Sequence, residues 1–277
     1  MAGPALGGRR IGFIGAGRIG APMAQALAAR GAQVSVYARR AQVRDQLATQ
    51  GCRAVADIID LGHDNDLVIS CVFSDGQFES IADQVAAILV PGSVFASHTT
   101  GSPATMRGFA TRLAGEGKDV QVVDAPFSGT PDDVRAATLT VMLGGPKEGI
   151  DRVEPAVRAY AGTVIRAGDL GSALVLKLIN NIVFAANVQV GLEVARLAGQ
   201  AGIPMSSVYE VLAACSGGTR AIGVMEQFSS PQAYADQVRP FMVKDVAACE
   251  QVAAELGIDL GLLSYVAGHG RLDVSQH

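Results

Sequence analysis

The sequence contains no Cys-x-x-Cys pair; its four cysteines, Cys52, Cys71, Cys215 and Cys249, are scattered along the chain. That spacing offers neither a disulfide framework nor a thiolate metal site. The four histidines, His63, His98, His269 and His277, lack metal-ligand spacing as well, so no metal is expected. There is no surplus of positive charge. A formal net charge of −4 speaks against nucleic acid or an anionic membrane as the main partner. No tract is of low complexity. With 49% hydrophobic and 17% charged residues, the chain can build sizeable cores and is not of the disordered type. The start, through Arg10, is small and Gly/Pro-rich and lacks the basic-then-apolar order of a signal peptide. An uninterrupted apolar span is also missing. Residues 172–190 come nearest, but Lys177, Asn180, Asn181, Asn187 and Gln189 interrupt them, which reads as a buried or interface helix rather than a membrane crossing. A cytoplasmic protein with no membrane partner is expected.

What is present is alternation. At 277 residues the chain exceeds the usual single-domain size, which favours two domains. Short apolar β-type runs at residues 10–15, 33–37, 67–72, 93–97, 120–124, 138–143 and 164–166 read as strands. Helix-period runs at 19–30, 40–50, 78–89, 103–115 and 149–160 separate them. Strands alternating with helices of this length predict a mainly parallel sheet covered on both faces. After Gly168 only helix-period segments follow, at 171–200, 206–214, 234–237 and 244–256. The expected architecture is an α/β Rossmann-type dinucleotide-binding domain over residues 1–167, followed by an all-α C-terminal domain over 168–277.

Between the first strand and the first helix stands Gly15-Ala16-Gly17-Arg18-Ile19-Gly20, a G-x-G-x-x-G. In a chain with 33 glycines such a hexapeptide is weak alone, and its setting raises it. Gly15 permits the tight turn, Gly17 lets backbone approach a pyrophosphate, and Gly20 allows close helix–strand packing. Free N–H groups at the helix start then bind the phosphates. A nicotinamide dinucleotide is therefore the expected cofactor, held by Gly15, Ala16, Gly17, Arg18, Ile19 and Gly20. The end of the second strand separates the two forms. NAD sites usually place Asp or Glu there; this chain reads Val36-Tyr37-Ala38-Arg39-Arg40, with no carboxylate until Asp45. A guanidinium pairs with a 2′-phosphate that a carboxylate would repel. NADP(H) is expected over NAD(H), with Arg39 the first contact and Arg40 the second; the alternative is that both arginines are simply solvated.

Lys177 is flanked by apolar residues, and no other basic residue lies between Arg166 and Arg196. Asn181 follows one helical turn later on the same face. Desolvation disfavours an ammonium, so such a lysine is suited to donate and recover a proton near neutral pH. The residues alone equally allow a lysine snorkelling from an apolar helix.

From the glycine loop through Asp245 the sequence resembles the β-hydroxyacid dehydrogenases, in four ordered blocks. These are Gly12-Phe13-Ile14-Gly15-Ala16-Gly17-Arg18-Ile19-Gly20-Ala21-Pro22-Met23; Thr99-Thr100-Gly101-Ser102-Pro103; Asp124-Ala125-Pro126-Phe127-Ser128-Gly129-Thr130 with Thr138-Leu139-Thr140-Val141-Met142-Leu143-Gly144-Gly145; and Lys177-Leu178-Ile179-Asn180-Asn181. Phe241-Met242-Val243-Lys244-Asp245 resembles the family's late Lys-Asp pair. The resemblance implies an NAD(P)-dependent oxidoreductase that interconverts a 3-hydroxy acid, or a related alcohol, and its aldehyde or keto form. It implies Lys177 as general acid/base and Asn181 orienting the substrate. Ser128, Gly129 and Thr130 would line the substrate carboxylate site, Thr100 would lie against the nicotinamide ribose, and Lys244 would approach the cofactor from the helical domain.

Some residues depart from the family pattern. Thr130 replaces a second glycine, Phe127 adds bulk, and Asp132 and Asp133 disfavour a dianionic substrate. A substrate with a larger apolar or amino-bearing portion is expected in place of hydroxyisobutyrate. The ending Gly268-His269-Gly270-Arg271-Leu272-Asp273 arrives early, as though a helical piece were deleted. His98 reads as structural, with an approach to the cofactor as the alternative. Imine reduction is the chemical rival, and Lys177 argues against it; a catalytically silent NADP-binding module is the rival from another class. Apolar faces on the long helix predict a homodimer or homotetramer.

Overall fold

The computed structural model describes residues 5–274. Part of the N-terminal reading, on the first four residues, and His277 lie outside them. Two compact units divide at Lys177 and Leu178, inside the helix Ser172–Ala201.

The first unit is built on nine strands: β1 (Arg10–Ile14), β2 (Gln33–Tyr37), β3 (Arg53–Val55), β4 (Leu67–Ser70), β5 (Val94–Ser97), β6 (Gln121–Asp124), β7 (Phe127–Ser128), β8 (Leu139–Gly144) and β9 (Ala161–Gly168). Six of them run parallel in the order β3-β2-β1-β4-β5-β6. This is the doubly wound order of dinucleotide-binding folds, whose crevice opens where the order reverses, at the carboxyl ends of β1 and β4. β8 joins antiparallel to β6 through Asp124 and Gly144, and also pairs with β7 and β9. Alternation along the strands divides the apolar residues between two faces. Ile11, Phe13, Leu67, Ile69 and Val123 enter one core, and Ile14, Val68, Phe95 and Val122 the other. All four residues of β4 and of β5 are buried, as expected of a parallel sheet covered on both sides.

Where the structure differs from the periodicity, packing explains it. Residues 78–89 form two helices, Asp75–Glu79 and Ala82–Ile88, not one. The turn between them keeps Phe78 in an aromatic cluster with Phe95 and Phe109, at centroid separations of 5.6 and 5.1 Å. The strand expected at 164–166 has eight residues, because β8 supplies a full-length partner while much of β9 faces solvent and shows no apolar run.

The second unit is helical. Its core gathers Leu178, Ile182, Ala185 and Val188 of the long helix with Tyr234, Met242, Val246 and Cys249. The segments expected at 234–237 and 244–256 are one helix, Pro231–Leu256, which continues through Pro240. Proline removes one hydrogen bond there, but buried residues on both sides of it enter the same core. Lys244 therefore lies within a helix rather than at its start. Near the C-terminus the helix Gly261–Gly268 is followed by a segment tied to the long helix. Buried Gln189 donates to the carbonyls of Ala267 (2.9 Å) and Leu272 (2.7 Å) and accepts from the Leu272 N–H. By length and composition the helix Ser172–Ala201 would span a membrane, but half of its most apolar stretch is buried in protein, as in a core helix.

Candidate active site

The glycine loop follows β1 directly. Gly15 adopts φ +104°, and a Cβ there would overlap the carbonyl oxygen of Cys71 at the end of β4. A Cβ on Gly20 would strike the Gly15 carbonyl, whereas one on Gly17 would meet nothing within 4 Å. Two of the glycines are thus demanded by the fold, and the third leaves room beside the loop. The helix it opens, Gly20–Ala29, has no capping side chain and no acidic residue in its first turn. In that first turn the Ala21 N–H donates to the Gly17 carbonyl (3.0 Å), the Met23 N–H donates to the Ile19 carbonyl (3.3 Å) and Pro22 has no N–H. A pyrophosphate would therefore be met by the N–H groups of the loop itself, beside the open space at Gly17. Ala16 and Ile19 are half-buried and Arg18 is exposed.

At the end of β2, Arg39 and Arg40 are both exposed. A third arginine, not picked out from the sequence, organises the turn: Arg44 donates from Nη1 to the carbonyls of Ala38 (2.8 Å) and Arg39 (2.9 Å).

Beyond β5 the chain reads Thr99-Thr100-Gly101-Ser102. Thr99 Oγ1 donates to the Val72 carbonyl (3.2 Å), and the Ser102 N–H donates to Asp75 (2.6 Å). A Cβ on Gly101 would collide with that Asp75 carboxylate. Thr100 is half-buried between these ties. His98 is buried, with Nδ1 2.5 Å from the Ala125 carbonyl and Nε2 2.8 Å from the Tyr160 hydroxyl. A carbonyl only accepts, so we assign the proton to Nδ1, leaving Nε2 to accept from Tyr160. Burial pushes the imidazole pKa down to about 4, with the Ala125 bond acting the other way. Both ring nitrogens are engaged, which favours the structural reading of His98.

Asp124 ends β6 and is fully buried. Its carboxylate accepts from the N–H groups of Gly171 (2.7 Å) and Leu174 (2.8 Å), at the start of the helix that carries Lys177. Burial raises its pKa, and those N–H groups work against the rise. Gly144 is required here, since a Cβ would press on Asp124 at 2.6 Å. The sequence blocks contained Asp124 but gave no sign of its partners.

Further along, Ser128 is half-buried, Gly129 and Thr130 are exposed, and Gly129 adopts φ +139°. Thr130 caps the short helix Pro131–Arg135 in a reciprocal box with Asp133. Its N–H and its hydroxyl each donate to Asp133 Oδ2 at 2.7 Å, while Thr138 donates to Oδ1 at 3.2 Å.

On the long helix, Lys177 is half-buried and Asn181 is buried. Asn181 Oδ1 accepts from Asn180 (3.3 Å), but its buried Nδ2 has no hydrogen-bond partner among the described residues. An unserved buried donor is costly unless something else serves it. Lys244 is half-buried beside Asp245.

Residues 10–168 match the family model described as the NAD binding domain of 6-phosphogluconate dehydrogenase. Residues 171–271 match the one described as NAD-binding of NADP-dependent 3-hydroxyisobutyrate dehydrogenase. The 3-hydroxyisobutyrate dehydrogenase of Pseudomonas aeruginosa is 30% identical over 92% of this chain and 89% of its own length. The NAD-dependent L-serine dehydrogenase of the same organism is 28% identical over 88% and 85%. Among solved structures, Mycobacterium tuberculosis 3-hydroxyisobutyrate dehydrogenase with L-serine superposes with a TM-score of 0.83 at 24% identity, covering 99% of this chain and 97% of that one, a likeness of fold.

His98 makes stability pH-dependent with a definite sign. Its folded pKa of about 4 lies below the unfolded value of about 6.5, so the unfolded chain binds the extra proton between them. Its contribution is complete above pH 6.5 and is lost as pH falls toward 4. Between pH 7 and pH 5 the wild type should lose about 2 kcal/mol more stability than H98N. Urea unfolding of both proteins at the two pH values measures this, and equal losses would contradict it.

Proposed function

The chain belongs to the β-hydroxyacid dehydrogenase family, and from that premise we propose an NADP(H)-dependent enzyme in which Lys177 is the general acid/base. It is an NAD(P)-dependent oxidoreductase acting on CH–OH groups. Within it we read residues 1–167 as the cofactor-binding domain and 168–277 as the substrate and dimerisation domain. The observation that carries the catalytic assignment is the unserved Nδ2 of Asn181, one helical turn from half-buried Lys177. A substrate oxygen would satisfy that donor.

A nicotinamide cofactor bound at the glycine loop supplies the hydride exchange. In reduction the Lys177 ammonium donates a proton to the carbonyl oxygen as negative charge grows there; in oxidation the neutral amine removes the hydroxyl proton. Asn181 donates to the same oxygen and fixes its direction. Ser128 and Gly129 bind the substrate carboxylate, largely through backbone N–H groups. Thr100 meets the nicotinamide ribose, and Lys244 serves the cofactor. Arg39 and Arg40 take the 2′-phosphate, with Arg44 holding their turn. K177A should bind NADPH as the wild type does and much more tightly than NADH, while turnover falls roughly 10²–10⁴-fold. Nicotinamide fluorescence and steady-state rates measure the two; near-wild-type turnover would sink the lysine, and NADH preference the arginines.

Substrate choice follows from Asp133. With both Thr130 donors spent on that carboxylate, the loop offers fewer donors and a negative charge to an incoming acid. The named substrates of the two relatives, 3-hydroxyisobutyrate and L-serine, share a primary alcohol β to a carboxylate, and the second also carries an ammonium. An amino-bearing hydroxy acid suits this loop better than a dicarboxylate. Its kcat/KM should exceed that of a hydroxydicarboxylate by about tenfold or more, and the reverse order would refute the reading.

Leu176, Ile179, Val183, Val190 and Leu197 are exposed on the long helix, four of them at seven-residue spacing. Such a stripe supports a homodimer or homotetramer built along this helix. Light scattering at micromolar concentration should give a dimeric or larger mass; a monomer would defeat it.

A further inference from the structure

The corner between β6 and β7 is two residues long, Ala125 and Pro126. It connects Asp124, which holds the start of the Lys177 helix, with Phe127 and Ser128 of the substrate loop. The Ala125 N–H donates to the Ser97 carbonyl (2.7 Å), as a continuing parallel strand would. Its carbonyl is taken by the His98 ring at 2.5 Å. The His98 backbone is itself fixed, its N–H donating to the Ser70 carbonyl (2.7 Å). The far side of the ring meets the Tyr160 hydroxyl, and the Phe127 ring stands edge-on to it at 5.9 Å and 78°. Tyr160 is fully buried. Ring orientation is thus set from both ends, and the donor presented to Ala125 has little freedom.

We propose that His98 is a positioning residue of the substrate loop, its Nδ1–H pinning the Ala125 carbonyl so that Ser128 is held in register with Thr100. This rests on the reading above that Ser128 meets the substrate and Thr100 the cofactor. His98 lies two residues before Thr100 and Ala125 three before Ser128, so the side-chain bond adds to the Ser97–Ala125 backbone bond in linking the segments that present the two reactants. Hydride transfer depends steeply on the placement of its partners, and a displacement of about 1 Å costs on the order of 10²-fold in rate. The Tyr160 bond serves by fixing the orientation of the ring, whose tautomer is set by the Ala125 carbonyl.

Two amides separate the two bonds. Asparagine places its N–H₂ near the position of Nδ1 and retains the Ala125 bond, whereas glutamine reaches toward the Nε2 position and retains the Tyr160 bond. H98Q should lower kcat/KM for the substrate roughly 10- to 100-fold with the NADPH Kd unchanged. H98N should recover most of that loss, and Y160F should fall less than H98Q. A residue that only filled the core would lower the melting temperature in both His98 variants without separating their kcat/KM values. Equal losses in H98N and H98Q, or a folded H98Q with wild-type kcat/KM, would overturn the proposal. Should H98Q not fold, H98A with added imidazole replaces it: restored kcat/KM supports the role, and no restoration overturns it. S128D sets a negative charge where the substrate carboxylate would bind and tests the underlying reading separately. An unchanged substrate KM in S128D removes the loop assignment and the His98 role with it; a raised KM in S128D with equal losses in H98Q and H98N removes only the latter.

Discussion

One buried carboxylate organises the region where the chemistry is proposed. Asp124 lies at the end of a parallel strand with no access to water, where an ionised group is stable only if donors surround it. The start of the long helix has the opposite need, N–H groups with no intrahelical acceptor. Each satisfies the other through Gly171 and Leu174, with the helix dipole adding a favourable term. The consequence is directional. Lys177 sits one turn beyond Leu174, so its height above the sheet is set by the length of β6. Gly144 is part of the same constraint, because any larger residue on β8 would push the carboxylate away.

The same economy recurs along the carboxyl edge of the sheet. Short loops leave β1, β4, β5 and β6, and each is held by a tie to its neighbour: Cys71 to Ile14, Thr99 to Val72, Ser102 to Asp75, Ala125 to His98. None of these ties adds binding energy for a ligand. They limit the motion of backbone groups that would face one, which is how a loop built of small residues becomes a defined surface. Thr130 shows the cost of such ordering. Its two donors stabilise the short helix that follows and are then committed to Asp133, so local capping removes them from any other contact.

The legible part of this protein lies in patterns shorter than about thirty residues. The glycine hexapeptide after an apolar run, the alternation of strand and helix, the change to helices alone after Gly168, and the spacing of Lys177 and Asn181 all follow from backbone periodicity and from glycine's tolerance of close approach. Those signals carried the fold class and the family. They were weaker where an element owes its existence to a partner: β9 is extended because β8 pairs with it, and Pro231–Leu256 stays helical through Pro240 because both halves enter one core.

What tertiary structure alone decided are the partners of polar groups. His98 meets Ala125 and Tyr160 across 27 and 62 residues, and Asp124 meets Gly171 and Leu174 across 47 and 50. No local pattern encodes such pairs, since a hydrogen bond needs its two atoms within about 3 Å and only packing brings distant segments that close. The open donor of Asn181 belongs to the same class, because whether an amide is served depends on everything folded around it. The sequence by itself determined which residues could do chemistry; the fold determined which of their donors and acceptors were left to do it.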